Sequence, residues 1–332
     1  MRLVQFVSAT GRRRVGRVSK DGEVVEALTG FASTYELARS AARRGGRLAA
    51  LVGGAASDDR AELAELLADG RLLVPIDHPD SAHCLITGTG LTHLGSAQAR
   101  DAMHEVTKQD EATLSDSMRM FRLGLEGGRT NGTEPGVAPE WFYKGDGSIV
   151  VAPGQPLSSP SFALDGGEEA EIAVIYLIDD TGHPCRIGYA LGNEFSDHVL
   201  ERQNYLYLAH SKLRPCSFGP ELLLGELPAH VQGTVSVMRG NDRIWQAEWL
   251  SGEANMSHSL DNLEHHHFKY ALFRRPGDVH VHFLGAAVLS YSAGIKAAPN
   301  DVFEIRSAAF GAPLRNPLAV GEDEGMVRIK EL

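Results

Sequence analysis

The most restrictive feature of the sequence is a nearly all-apolar run, residues 172–178, which follows the pair Glu169-x-Glu171. Such a run is typical of a β-strand that is covered on both faces. Alternate residues of a strand point to the same side, so Glu169 and Glu171 would face one way. The pair is either an exposed strand edge or a cation site, because a divalent ion would relieve the repulsion of two poorly solvated like charges. Hard carboxylate oxygens favour Mg²⁺, with Mn²⁺ or Ca²⁺ as alternatives, over zinc.

The beginning of the chain predicts a small α/β domain over residues 1–80. Short apolar segments at 3–7 and 23–28 are typical of strands, and residues 58–69 place leucines on one face of a helix. Two prolines interrupt residues 74–80, which therefore read as a linker.

The remainder, residues 81–332, predicts a larger domain that is rich in strands from about residue 139. Residues 233–250 form a predicted hairpin, and residues 256–271 form a predicted helix. Residues 97–127 are polar and helical in pattern, and a loop rich in glycine follows them. This segment is either a lid over a site or a helical insertion on the surface. The fold class expected from the whole pattern is α+β.

Charge and composition exclude several classes of function. The formal net charge is −11, which argues against a general binder of nucleic acids or membranes, because phosphate surfaces attract Lys and Arg patches. The three cysteines are far apart and odd in number, as expected of free thiols in a reducing compartment. No signal peptide and no apolar stretch of membrane-spanning length is recognisable, so we expect a soluble, cytoplasmic protein.

A second acidic position strengthens the cation hypothesis. Glu194 ends another predicted strand, and Lys212 follows in a stretch rich in turns. A lysine beside a cluster of carboxylates and metal can act as an acid, a base or a stabiliser of charge.

These residues together resemble a known family, over roughly residues 82–320. The order of Glu169-x-Glu171, Gly188-Tyr189, Asn193-Glu194 and Lys212 resembles the fumarylacetoacetate hydrolase superfamily. Two longer motifs resemble its 2-keto-3-deoxy-D-arabinonate dehydratase branch: Pro139-Glu140-x-Phe142-x-Lys144 and Glu201-x-x-Asn204-x-Leu206-Tyr207-Leu208-x-x-x-Lys212.

The resemblance implies a mixed β-roll catalytic domain that holds Mg²⁺. The implied metal ligands are Glu169, Glu171 and Glu194, the last in place of the aspartate that is usual in the family. The implied chemical groups are Lys212 and Glu140. Which of these two is the base and which the acid stays open at this stage.

Four further residues are candidates for contact with the substrate: Lys144, His93, Ser257 and Gly285. His93 stands in a segment that departs from the Asn-Tyr-x-x-His motif of the hydrolytic members. Ser257 either caps the helix after it or contacts the substrate. Gly285 is followed by alanine, whereas the family often has Gly-Thr there.

Two groups of histidines invite a zinc hypothesis that their spacing does not favour. Residues 265–267 are adjacent, whereas helical metal ligands prefer a spacing of four, so a solvated or partner-facing helix edge is expected. His280 and His282 alternate on a predicted strand and are expected to be half-exposed.

The function implied by the resemblance is Mg²⁺-dependent dehydration of a 2-keto-3-deoxy-pentonate, such as the arabinonate or xylonate, to 2,5-dioxopentanoate. A hydrolase that cleaves the C–C bond of a 2,4-diketo acid is the alternative, and the altered segment at His93 speaks against it. A binding protein without catalysis is the third hypothesis, and the retained Glu169, Glu171 and Lys212 speak against that. The expected partner is a small 2-keto acid, and the expected assembly is a homo-oligomer, a dimer or a tetramer.

Overall fold

The secondary structure comes from a computed structural model that describes residues 1–94, 116–130 and 132–332. The described strands are β1 Arg2–Val7, β2 Arg13–Val18, β3 Val24–Leu28, β4 Ser57–Glu62, β5 Cys84–Gly90, β6 Glu140–Asp146, β7 Val150–Val151, β8 Leu157–Ser159, β9 Ala170–Ile178, β10 Pro184–Asn193, β11 Cys216–Phe218, β12 Leu222–Leu223, β13 Val231–Arg239, β14 Asp242–Ser251, β15 Val279–Phe283, β16 Val302–Arg306 and β17 Leu314–Val320. The described α-helices are α1 Thr34–Arg43, α2 Leu48–Gly54, α3 Leu63–Ala68, α4 Asp116–Gly127, α5 His198–Gln203, α6 Leu208–Lys212 and α7 Leu260–Phe268. Short 3₁₀ turns include Tyr205–Tyr207, Glu253–Asn255 and Tyr291–Ala293.

The described strands form two mixed sheets. The larger sheet has the order β4-β3-β2-β1-β12-β10-β9-β15-β5-β6, and off this path β11 pairs with β10 and β7 pairs with β11. The smaller sheet has the order β14-β13-β16-β17-β8. Most neighbours are antiparallel, whereas β15 pairs with β5, β11 with β7, and β17 with β8 in parallel. The predicted α+β class, with helices beside mixed sheets, is confirmed.

Strand β9 lies near the centre of the larger sheet and is buried at every position. Ala173, Ile175 and Leu177 belong to one hydrophobic cluster, and Ile172 and Val174 belong to another. The alternation of a strand sends successive side chains to opposite faces, so both faces of β9 are covered by core. The prediction made from the apolar run is confirmed.

The first strands of the chain extend the same large sheet. Strand β1 pairs with β12 in antiparallel register, with Leu3 opposite Leu222. Leu3 and Leu28 share one hydrophobic cluster with Ile86 and Ala173. A domain boundary at residue 80 stays a prediction. Among the described residues, no helix has both the length and the apolar character to cross a bilayer.

Two predicted helices are shorter than expected. Within the predicted helix 58–69, Ser57–Glu62 instead forms the edge strand β4, which pairs with β3, and α3 begins only at Leu63. Exposed charged residues suit such an edge, because they oppose pairing with another chain. Helix α7 begins after Ser259, whose hydroxyl accepts a hydrogen bond from the Asn262 N–H and so caps the helix.

The histidine predictions are wrong for the residues that reach the interior. His267, His280 and His282 are all buried, where α7 packs on β15. The ring nitrogens His267 Nε2 and His280 Nδ1 lie 2.9 Å apart, and His282 Nδ1 lies 2.8 Å from Thr87 Oγ1. Burial lowers the pKa of His280 to about 4 and that of His282 to about 3, so these rings are neutral at pH 7.

The predicted lid falls partly outside the described residues, since residues 95–115 and 131 are not described. Its described part is α4, which lies against the loop at His258. A Cβ on Gly124 would come within 2.7 Å of His258 Nε2, and one on Gly128 within 2.8 Å of His258 Nδ1. The two glycines therefore let α4 and the following loop approach this part of the protein closely.

Candidate active site

Three buried glutamates form an acidic cluster at one end of the central strands. A carboxylate oxygen from each of Glu169, Glu171 and Glu194 lies within 4.8 Å of the other two. All three residues are buried. The structure therefore brings together the three metal ligands that the resemblance implies.

Strand pairing places these carboxylates side by side. Strand β9 begins at Ala170, which lies opposite Asn193 at the end of β10. The Glu194 N–H donates to the Glu169 carbonyl (3.1 Å), which continues the ladder past the strand ends. The Asn193 side-chain oxygen accepts from the N–H groups of Glu169 and Phe195 and fixes both turns.

Lys212 bridges two of the three carboxylates. Its ammonium donates to Glu169 Oε1 (2.5 Å), Glu194 Oε2 (2.8 Å) and Ser196 Oγ (3.1 Å). Burial alone would favour the neutral amine, but Glu169 and Glu194 outweigh burial and raise the pKa of Lys212 well above its ordinary value. Burial alone would raise the pKa of Glu169. The Lys212 ammonium and His198 outweigh this effect and hold the pKa of Glu169 well below its ordinary value.

Lys144 lies behind Glu194 and is fully buried. Its ammonium donates to Glu194 Oε1 (2.5 Å), the Phe195 carbonyl (2.8 Å) and the Lys212 carbonyl (2.9 Å). All three N–H bonds are thus used within the protein, and they support a role for Lys144 in positioning Glu194. The predicted contact between Lys144 and a substrate stays a prediction.

Glu171 is the carboxylate whose negative charge is least compensated by the described side chains around it. Within the described ranges no lysine or arginine forms an ion pair with it, and the Gly285 N–H donates to its Oε2 (2.7 Å). Burial, followed by the neighbouring charges of Glu169 and Glu194, raises the pKa of Glu171 well above its ordinary value. A divalent cation among the three carboxylates would remove this conflict, so the donor set fits a hard ion such as Mg²⁺.

Glu140, the other predicted chemical group, starts β6 opposite Gly90. A Cβ on Gly90 would lie 1.8 Å from Glu140 Oε1, so only glycine leaves room for this carboxyl group. Burial raises the pKa of Glu140 to about 7, although Lys212 opposes this effect. The neighbouring Tyr205 also lowers the pKa of Glu140, by less than burial raises it, and the sequence did not indicate this interaction.

The remaining predicted residues form one layer beside Glu171. Gly285 has a φ of +107°, and a Cβ there would lie 3.4 Å from His93 Nδ1. His93 Nδ1 lies 3.0 Å from Thr92 Oγ1, and His93 Nε2 lies 2.8 Å from Ser251 Oγ. The Ser257 hydroxyl donates to the Thr92 carbonyl (3.1 Å). This layer supports Gly285, and direct contacts between these residues and a substrate stay predictions.

Two neighbours of the cluster were not found from the sequence. Glu168 accepts hydrogen bonds from the Ser290 N–H (2.8 Å) and the Ser290 hydroxyl (2.7 Å), which ties the loop after Gly285 to the start of β9. His198 contacts Glu169, 29 residues away in sequence. The polar residues at 193–198 indicate the end of a strand. Their spacing does not indicate that His198 contacts the carboxylate of Glu169.

Comparisons with known proteins point to the same fold. No family model matches the chain. The chain is 25% identical over 212 residues to a probable 2-keto-3-deoxyxylonate dehydratase of Haloferax volcanii, and the alignment covers 62% of this chain and 62% of that protein. The chain thus spans less than two thirds of the curated relative that it matches.

Solved structures match nearly the whole chain. The apo form of 2-keto-3-deoxy-D-arabinonate dehydratase superposes with a TM-score of 0.71 at 18% identity, covering 97% of this chain and 100% of that chain. A structure of the same dehydratase complexed with magnesium and 2,5-dioxopentanoate gives a TM-score of 0.70, with the same identity and coverage. A 5-carboxymethyl-2-hydroxymuconate delta-isomerase from Mycobacterium smegmatis gives 0.59 at 15% identity, again covering 97% and 100%. The resemblance predicted from the motifs is confirmed at the level of the fold, which this chain shares with that dehydratase and that isomerase.

Proposed function

We propose that this protein dehydrates a 2-keto-3-deoxy-pentonate, such as the arabinonate or the xylonate, to 2,5-dioxopentanoate with Mg²⁺. The observation that carries the proposal is the buried cluster of Glu169, Glu171 and Glu194, which Lys212 contacts directly. A protein without catalysis has no need to bury this many charges around one point. The names of the similar dehydratases support the choice of substrate.

The three carboxylates would hold the cation. Glu169 Oε2 and Glu171 Oε1 accept no hydrogen bond from the described residues, so each is available as a ligand. Mn²⁺ or Ca²⁺ could replace Mg²⁺ in an all-oxygen site. When bound, the ion would withdraw electrons from the 2-oxo group of the substrate and make the C3 proton easier to remove.

The residues of the chain would carry out the proton transfers. We assign the base to Glu140, because a carboxyl group with a pKa of about 7 is largely ionised at slightly alkaline pH and still basic enough to take the C3 proton. We assign the acid to Lys212, whose ammonium is held at the cluster by Glu169 and Glu194. A proton from Lys212 lets the C4 hydroxyl leave as water, which leaves a double bond between C3 and C4. Loss of a proton from C5 and return of a proton to C3 then give the enol of C5, and protonation at C4 converts this enol to the keto aldehyde.

A hydrolase that cleaves 2,4-diketo acids is the second candidate. It would need a group that activates water. In the hydrolytic members this group belongs to the Asn-Tyr-x-x-His motif, and His93 stands in the corresponding segment of this chain. Both ring nitrogens of His93 lie within hydrogen-bonding distance of hydroxyls, those of Thr92 and Ser251. This geometry favours a supporting role for His93 and therefore the dehydratase.

We also propose the finer organisation that the sequence suggested. Residues 1–80 would be a small N-terminal domain, and residues 81–332 a β-roll catalytic domain. The protein would work in the cytoplasm as a homo-oligomer, a dimer or a tetramer.

A product assay tests the proposal. The protein would be incubated with 2-keto-3-deoxy-pentonates and with 2,4-diketo acids, each with Mg²⁺ and again with EDTA. We expect 2,5-dioxopentanoate from the pentonates only, and none with EDTA. Glu171→Gln should lose this activity, whereas Glu226→Gln, at an exposed position, should keep it. Pyruvate and a carboxylic acid from the diketo acids would support the hydrolase. If neither class of substrate gave a product, both the dehydratase and the hydrolase would be contradicted.

A further inference from the structure

His198 lies between two carboxylates and contacts one of the proposed metal ligands. Its Nε2 donates to Glu169 Oε1 (3.2 Å), and its Nδ1 lies 3.5 Å from Asp165 Oδ2 without a hydrogen bond to the described residues. The ring is buried, at 5% exposure. Neither His198 nor Asp165 belongs to the motifs that identified the cluster.

The contact with Glu169 determines which oxygen of that carboxylate is free to bind a cation. His198 and Lys212 both donate to the same oxygen of Glu169, Oε1. A carboxylate whose one oxygen accepts two hydrogen bonds is fixed about its terminal torsion. The other oxygen, Oε2, is thereby left to face a cation, which is the way in which outer partners orient metal ligands in other proteins.

The protein holds the His198 ring tightly in this place. A Cβ on Gly167 would lie 2.6 Å from His198 Nδ1 and 2.7 Å from His198 Cε1, so the backbone of residue 167 approaches the ring as closely as only glycine allows. Tyr291 also stacks on the His198 ring, with ring centroids 5.3 Å apart and planes inclined by 24°. Asp197, whose side chain caps α5 at the Leu200 N–H, fixes the start of the helix that carries His198.

We infer that His198 is a positioning residue that orients Glu169 for the divalent cation, and that the negative charge of Asp165 near the other ring nitrogen supports this orientation. The inference rests on the metal site of the proposed function. It assigns to His198 no contact with the substrate and no proton transfer. It adds a requirement that the three-glutamate motif does not contain, namely a donor that selects which oxygen of Glu169 faces the ion.

Binding of Mn²⁺ to the full-length protein, followed by electron paramagnetic resonance, tests the inference without any turnover. His198→Phe keeps a ring that can stack on Tyr291 but has no donor, and we expect Mn²⁺ to bind about ten- to a hundredfold more weakly. His198→Gln keeps an N–H donor of similar reach, so its affinity should stay within about threefold of wild type. His183→Phe is the matched control, since the His183 side chain is 80% exposed, and it should bind Mn²⁺ as the wild type does.

Two further variants separate orientation from general damage. Gly167→Ala should weaken Mn²⁺ binding by displacing the ring, whereas Gly46→Ala, where a Cβ meets open space, should not. Asp165→Asn should weaken binding in the wild type but have little further effect in His198→Phe, because the two residues would act on one ligand.

The outcomes distinguish this inference from the proposed function. If the wild type fails to bind Mn²⁺, the metal site itself is wrong, and the inference falls with it. If the wild type binds Mn²⁺ and His198→Phe binds it equally well, the metal site stands and the positioning role is overturned. Equal weakening in His198→Phe and His198→Gln would also overturn it, because a purely structural role would be disturbed by both.

Discussion

At the scale of single residues, the acidic cluster depends on a balance between carboxylates and ammonium groups that water does not screen. Glu194 accepts from Lys144 on one oxygen and from Lys212 on the other. Glu169 accepts from Lys212 and His198, and Glu171 has a backbone donor. The arrangement leaves Glu171 as the least compensated charge, which explains why a cation suits the cluster.

Lys144→Met should be strongly destabilising, because it leaves Glu194 Oε1 and the Phe195 carbonyl oxygen buried without the donor that Lys144 supplies. Breaking a buried ion pair from one side costs about 3–5 kcal/mol, and we expect a loss of that size in the free energy of unfolding, measured with urea. Lys20→Met, at an exposed position, is the control and should cost less than about 0.5 kcal/mol. If Lys144→Met were as stable as the control, the Lys144–Glu194 pair would not be the buried support described above.

The pKa of Glu140 predicts the pH dependence of the reaction. A base must be ionised, and burial raises the pKa of this carboxyl group to about 7. We therefore expect kcat/KM to rise with pH on a limb centred near pH 7 and to level off above it. The measurement is a pH profile of 2,5-dioxopentanoate formation, together with exchange of the C3 hydrogen in D₂O. Glu140→Gln should abolish both, and exchange at the wild-type rate in that variant would exclude Glu140 as the base.

At the scale of elements, the sequence predicted the buried central strand and the residues that meet at its end. The burial of β9 followed from its apolar residues, and the nearness of Glu194 to Glu169 was implied by the family resemblance. The sequence could not predict that Ser57–Glu62 pairs as an edge strand, because exposed polar residues carry no periodic signal. It also missed His198, since the contact between His198 and Glu169 depends on the path of the chain after β10 and not on local spacing.

The histidines of α7 and β15 are a second case in which local pattern misled. His267 was expected at a solvated or partner-facing helix edge, and His280 and His282 were expected to be half-exposed. Instead, His267 packs on both other rings in the core, and His267 and His280 pack on Phe273. An imidazole that is neutral can be buried at modest cost, and burial lowers the pKa values of all three rings. Composition alone does not reveal which state a histidine will adopt.

The lowered pKa of His282 makes a prediction about stability. Its pKa of about 3 in the folded protein lies below the ordinary value of 6.5, so only the unfolded chain binds this proton between those pH values. The contribution of His282 is therefore complete above pH 6.5 and is lost as the pH falls, by up to about 1.4 kcal/mol per pH unit.

A comparison of two proteins isolates this effect, because buried carboxyl groups with raised pKa values, such as Glu171, act in the opposite sense. The free energy of unfolding would be measured with urea at pH 7, 6 and 5 for wild type and His282→Asn. The advantage of the wild type should shrink as the pH falls. His183→Asn, at an exposed histidine, should show no such change, and a constant difference for His282→Asn would contradict the prediction.

At the scale of the whole molecule, residues 1–80 share one sheet and one core with the rest of the described chain. Strand β1 pairs with β12, and Leu3 and Leu28 pack in the same cluster as Ile175 and Phe218. We therefore expect the two proposed domains to unfold as one cooperative unit. Native-state hydrogen exchange should give peptides from β1 and β9 the same free energy of opening, within about 1 kcal/mol. A much lower value for β1 would show that residues 1–80 unfold independently.

The central proposed feature of the whole molecule is the divalent cation that Glu169, Glu171 and Glu194 would hold for dehydration. The most direct measurement is the rate of 2,5-dioxopentanoate formation from 2-keto-3-deoxy-D-arabinonate as a function of Mg²⁺ concentration, in wild type and in Glu171→Gln. We predict no product without metal, saturable activation by Mg²⁺ in the wild type, and a loss of at least about a hundredfold in the variant at the same concentrations. Product formation that persists in EDTA, or a Glu171→Gln protein as active as the wild type, would contradict it.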